Sequence, residues 1–378
     1  MRRALRNCGG VVGAVIVLSL FCVGQVASQT GEGGAKQFRV LWSRTVRPLA
    51  SMAITPDGKF TAVLARDGSL TYFDAAGVPM WRKDAGKANQ AVVSANGKAI
   101  LTFSALNPIR RDIVVMSADG GVLLKRRISS AVWSAALSAD GKTAVVGSGD
   151  CRAYIFTIGV PGSRYRRHRL PGLPMSISLL PGAGKFVVGM WQDSGVAVYT
   201  LKGKQLWWTK GKLTLQYFPR LSASGRYFAA VATPNRDLPE AEVGFWNSAG
   251  TSLWRKRMVA DDVRVAVSPA GDLVAASYRH LMVHKGKTMS ERRLALYNRS
   301  GQTMWEKGGM FFKPALISMF PGNRILASSE KNTLYLLDRQ GKIAQLELPA
   351  AIRQVVPAPS AGRAAVYCGD GRLYVVGT

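Results

Sequence analysis

The stretch LASMAITPDGKFTAVLARDGSLTYFDAAGVPMW, Leu49 to Trp81, reads as one complete antiparallel unit. Ser51 to Thr55 forms a short strand, and Asp57-Gly58 then supplies a tight turn in which a residue of positive φ costs little. Phe60 to Ala65 is a second strand, turned at Asp67-Gly68. Leu70 to Phe73 is a third, and the chain turns near Gly77 into a fourth that ends on Trp81. Apolar residues on alternate positions give such a sheet two faces to cover, so one unit cannot bury its own surface.

The same turn recurs along the chain. TPDGK (Thr55 to Lys59) is followed by SANGK (Ser94 to Lys98), SADGK (Ser138 to Lys142) and PGAGK (Pro181 to Lys185). SASGR (Ser222 to Arg226), SPAGD (Ser268 to Asp272), FPGNR (Phe320 to Arg324) and PSAGR (Pro359 to Arg363) complete eight copies. Their spacing is about 40 residues, the period of a propeller blade. The expected fold is therefore all-β: an eight-bladed β-propeller of four-stranded antiparallel blades, with seven blades as the alternative count. The last unit stops at Gly377-Thr378 after three strands, while Phe38 to Ser43 has the length and the Trp42 of an unattached fourth strand. Pairing the N-terminal strand with the C-terminal blade would close the ring and remove a free edge. A second mark follows each turn: Gly77/Trp81, Gly203/Trp207, Gly250/Trp254 and Gly301/Trp305 lie four apart. A large flat indole repeated once per unit suits packing between blades.

With its Ser-Pro-Asp-Gly-Lys-like turn and its Asp-x-x-Gly-x-x-Leu-Trp mark, the chain resembles bacterial quinoprotein-like (PQQ-like) and WD40-like propeller repeat proteins over residues 38–378. That resemblance implies architecture and says little of activity, since the fold hosts many functions. It includes quinone-dependent dehydrogenases and also outer-membrane assembly scaffolds that hold no cofactor. The dehydrogenase branch implies a disulfide between adjacent cysteines, an aspartate base and a calcium cage. Here Cys151 and Cys368 stand alone, and the acidic clusters Asp261-Asp262 and Asp237/Glu240/Glu242 lack a cage's spacing and read as solvated loop charge. His280 and His284 are four apart in HLMVH, and His168 is the only other histidine; read as a loop pair, they lack the ligand count of a metal site. No residue is assigned a catalytic, cofactor-binding or metal-binding role.

The N-terminus carries Arg2, Arg3 and Arg6, an apolar run from Val11 to Val23, and small residues at Val26-Ala27-Ser28. That order predicts a signal peptide over 1–28, a flexible tether over 29–37 and one propeller domain over 38–378, with a retained anchor as the alternative. No later segment is long and apolar enough to span a bilayer. The expected destination is periplasmic or extracellular. Cys8 and Cys22 would leave with the leader, and Cys151 and Cys368 are expected as free thiols.

Lys and Arg number 51 against 22 Asp and Glu, a formal charge of +29 at pH 7. Such a field attracts polyanions in a salt-dependent way. The longest connections, Ser104 to Ile113, Ala232 to Glu242 and Ser277 to Arg293, all join the second and third strands of their units. They carry Arg110, Arg111, Arg236, Arg279, Lys285, Lys287, Arg292 and Arg293, which form the candidate recognition face. The densest basic run, Arg164 to Arg169, falls on an outer strand, where charge also discourages edge pairing. An exported chain meets little nucleic acid, and no nucleic-acid module is present. The expectation is a non-catalytic binding or scaffold module for a protein or an anionic envelope polymer. The alternative is a quinone-dependent oxidoreductase.

Overall fold

Five of the eight repeated turns begin with Ser or Thr and are held by that first side chain. The Thr55 hydroxyl donates to Asp57 Oδ1 at 2.6 Å and accepts from the Phe60 amide at 3.1 Å, while the Lys59 amide donates to the same carboxylate oxygen. Gly58 takes φ of 68° and its amide reaches Thr55 O at 2.8 Å. Ser94 with Asn96, Ser138 with Asp140, and Ser268 with Asp272 repeat the arrangement. Thr55, Ser94 and Ser268 are fully buried, so an apolar residue there would strand the amides they satisfy.

The computed structural model describes residues 38–378 except 163, 183, 192–194, 210–215, 218, 234–239, 285–286, 309–311, 330 and 342. They lie in one compact unit, Gln37–Thr378. The leader and tether proposed for 1–37 lie outside the described residues. Unit one is a four-stranded antiparallel sheet of Leu49–Ile54, Thr61–Ala65, Ser69–Phe73 and Pro79–Asp84. Residues 90–127, 132–169, 174–209 and 312–347 form four more such sheets. In unit eight, Ile352–Ala358, Arg363–Cys368 and Arg372–Gly377 gain their fourth strand from Arg39–Thr45, which runs antiparallel from Arg39 opposite Gly377 to Thr45 opposite Arg372.

Units five and six depart from separate sheets. The 16-residue strand Ser252–Val267 pairs through Val259 with Glu240–Asn247 and from Ala260 onward with Leu273–His284. One eight-stranded sheet results, which also contains Gln216–Tyr217, Arg220–Leu221, Tyr227–Thr233, Lys287–Asn298 and Thr303–Gly308.

Burial follows strand position. Thr61–Ala65 and its counterpart Ala99–Phe103 are buried at every residue, whereas Pro79–Asp84 and Val122–Arg127 are exposed almost throughout. The inner strands are covered on both faces because each core cluster spans consecutive units. Leu64 and Tyr72 of unit one, for example, pack with Ile100 and Met116 of unit two. Another cluster joins Met52, Val63 and Phe73 of unit one to Ala365 and Val375 of unit eight.

Two expectations are corrected. Ser277 to Arg293, read as a loop, is a hairpin of twelve-residue strands paired from Leu273 opposite Asn298 to His284 opposite Lys287. Asp261, Asp262 and Glu242, read as solvated loop carboxylates, lie within strands and are ion-paired across them. Cross-strand pairing is what keeps this charged segment extended.

Candidate functional site

An outermost strand exposes one row of unpaired backbone groups, and charged side chains along it oppose association with other strands. In units two and three this edge is strongly cationic. Val122–Arg127 carries Lys125, Arg126 and Arg127, and Arg166–Arg169 carries Arg166, Arg167 and Arg169. Between them lies an open groove of about 440 Å³ lined by Arg126, Arg164, Tyr165 and Arg167. Tyr165 is braced from below, its ring 5.6 Å from Tyr154 and 5.4 Å from Phe156. Arg126, Arg164 and Arg167 have no salt-bridge partner among the described residues. A second groove, of about 460 Å³, is lined by Lys87, Arg110 and Lys125 together with Asp84, Asp112 and the apolar Val114, Met116 and Val122. Guanidinium groups around an aromatic platform, with no carboxylate, bind anions through charge-assisted and bidentate hydrogen bonds.

The eight residues of the sequence-derived recognition face do not share one environment. Arg110 lines the second groove. Arg111 reaches back to the Ser129 carbonyl. Arg279 donates from Nε to Asp261 Oδ1 at 2.6 Å, Arg292 stands 3.8 Å from Asp262, and Arg293 bridges Glu291 and Glu306 at 2.9 and 2.8 Å. Charge on the unit-six hairpin is thus largely answered within the fold. Lys287 opens a strand of that hairpin, and Arg236 and Lys285 lie outside the described residues. The groove arginines were visible in the sequence as Arg164 to Arg169, but their meeting with Arg126 depends on strand adjacency, which no local motif encodes.

Comparison with known proteins follows the same architecture. Residues 21–157 match the family model described as outer membrane protein assembly factor BamB. Over 90% of this chain and 100% of the other, the structure is similar to BamB from Moraxella catarrhalis, with a TM-score of 0.65 and 12% identity. The chain has the β-propeller fold. The propeller is also similar to Saccharomyces cerevisiae Sqt1 (TM-score 0.64, 11% identity, 91% of this chain and 98% of that one) and to the Dos1 propeller (0.66, 13%, 90% and 95%). No curated protein matches the chain at the level of sequence.

Within the propeller, each Gly-Trp mark works across units. A methyl on Gly250 would lie 2.2 Å from Trp207 of the preceding unit, one on Gly301 2.8 Å from Trp254, and one on Gly77 2.5 Å from Trp42. The indole N–H donates into the same neighbouring turn: Trp42 to Ala75 O, Trp81 to Ala118 O and Trp305 to Arg339 O, at 2.6–3.1 Å. Two residues on, Arg44, Lys83 and Lys307 donate to the carbonyls of Gly77, Gly120 and Gly341. In unit three His168 fills the tryptophan position against Gly203. Burial first, and Arg166 second, lower the basicity of its ring. His280 Nδ1 lies 3.2 Å from Val259 O on a strand, and no group of metal-ligating side chains gathers among the described residues. Cys151, in a turn of unit three, and Cys368, on a strand of unit eight, are free, and burial pushes the Cys368 thiol up to about 12.

Proposed function

We propose that this chain is an exported, non-catalytic, eight-bladed propeller that binds a protein or anionic envelope partner through its basic surface. The observation that carries the reading is the groove of Arg126, Arg164, Tyr165 and Arg167, four side chains with no carboxylate among them. Arg110 and Arg111 extend this surface toward the sequence-derived face, whose remaining arginines are mostly ion-paired. The eight-blade count and closure are supported by the cluster joining units one and eight and by Arg39–Thr45 completing the last sheet. Export is supported by the leader-like N-terminus and the similarity to an outer-membrane assembly factor. No helix among the described residues is long and apolar enough to cross a membrane.

Heparin, used as a generic polyanion, tests the surface. The protein is expected to elute at raised salt, and the triple variant Arg126→Glu/Arg164→Glu/Arg167→Glu at clearly lower salt. Removing one cation that pairs with a phosphate-like group should flatten the salt dependence by about one unit of slope. Equal elution of the triple variant and the parent, both folded by circular dichroism, would remove this surface from the proposal.

A further inference from the structure

The four most exposed large hydrophobic residues among those described are Ile109 (77%), Val122 (63%), Leu106 (60%) and Val160 (56%), and all four belong to units two and three. Scattered exposed aliphatic residues need no explanation, but concentration in one region does. Two of them, Ile109 and Val122, adjoin basic side chains of unit two. Arg127 donates to the Ile109 carbonyl at 3.3 Å, so the Leu106-to-Arg110 segment sits against the basic outer strand. Val122 begins that strand and shares a groove with Arg110 and Lys125. Leu106 holds φ of 57°, with its amide donating to Val132 O at 2.8 Å, which fixes the backbone of an apolar residue that is mostly exposed. Such a conformation is costly for a residue with a Cβ.

We infer that the edge of units two and three docks onto an anionic lipid bilayer. Leu106, Ile109 and Val122 enter the headgroup boundary, Arg126, Arg164 and Arg167 meet lipid phosphates, and the Tyr165 ring sits at the interface. Aliphatic tips set among long cationic side chains suit a bilayer surface, where stems of arginine lie along acyl chains while the charge stays with the headgroups. Each basic residue near an anionic leaflet adds attraction that salt screens. A protein partner of this patch would instead be expected to meet a largely uncharged, close-packed centre. This inference rests on the anion-binding reading above and adds the bilayer to it.

Co-sedimentation of the purified protein with vesicles of phosphatidylcholine, alone or with about 30% phosphatidylglycerol, separates the two. Binding to the anionic vesicles is expected to be at least about tenfold stronger. The double variant Ile109→Ser/Val122→Ser, which leaves the charge unchanged, should lose vesicle binding by about tenfold while keeping its heparin elution and its melting temperature. Vesicle binding unchanged in that variant would overturn the docking mode. Retention on heparin without any vesicle binding would overturn the lipid inference alone and favour a protein or polysaccharide partner. Loss of both in the parent protein would overturn the anion-binding reading as well.

Discussion

At the scale of the single residue, the clearest strain falls on Cys151. Gly68 and Gly371 follow Asp67 and Asp370 in the turn between second and third strands, with φ of 90° and 76°. Cys151 follows Asp150 in the same turn and holds φ of 57°, its amide donating to Ser148 O at 3.1 Å. The left-handed region costs a residue with a Cβ about 1–2 kcal/mol, partly offset by the greater freedom of glycine in the unfolded chain. Cys151→Gly is expected to stabilise the protein by about 0.5–1 kcal/mol, read as a raised urea midpoint with unchanged slope. A lower midpoint would show that the side chain contributes more than the backbone loses. This turn was legible in the sequence as Gly-Asp-Cys-Arg, yet the resemblance to Arg-Asp-Gly-Ser emerges only when the units are aligned by strand.

At the scale of the element, stability passes from one sheet to the next through the indole-on-glycine contact. Gly250→Ala brings a methyl to 2.2 Å from Trp207 and adds backbone strain at φ of 92°. Gly86 has φ of 66° and nothing within 4 Å of its would-be methyl, so it isolates the backbone term. Gly86→Ala should cost about 1 kcal/mol and Gly250→Ala about 2–4 kcal/mol. Equal losses in thermal unfolding would remove the contact between units from the account. The glycine and tryptophan were both visible in the sequence; that Gly250 and Gly301 serve the tryptophan of the unit before was not, because four-residue spacing suggests an internal pair. The unit-six hairpin was illegible for a related reason. Arg279 and Arg292 oppose one another in the ladder, and their acceptable proximity depends on Asp261 and Asp262 from a third strand.

At the scale of the whole molecule, the repeated turns tie stability to acid. The Ser138 hydroxyl, and next the Lys142 amide, hold Asp140 below the usual carboxylate range. Burial opposes the charge of Asp57 and of Asp272, but the Thr55 and Ser268 hydroxyls with neighbouring amides outweigh it, and both are also lowered. A carboxyl lowered on folding contributes stability above its unfolded value, about 3.9 for aspartate, and that contribution is lost as pH falls through the lower folded value. The urea midpoint should therefore decline from about pH 4 downward, and Asp57→Asn/Asp140→Asn/Asp272→Asn should flatten that decline. An identical acid limb in the triple variant would place the sensitivity elsewhere. The repeat period and turn chemistry made the all-β propeller legible at this scale. The cationic groove was less so, because a charge count of +29 does not say which cations the fold neutralises.

The last sheet is sewn from both termini: Arg39–Thr45 lies against Arg372–Gly377, more than 320 residues away along the chain. For a polypeptide synthesised N-terminus first, that seam is out of reach until the final strand has emerged. The earliest strand must wait, unpaired, through nearly the whole of synthesis. Long-range pairing of this kind is slow to find, and a waiting edge is open to aggregation. A product cut short before Arg372 would carry a permanently open edge, a ready feature for quality-control proteases to recognise.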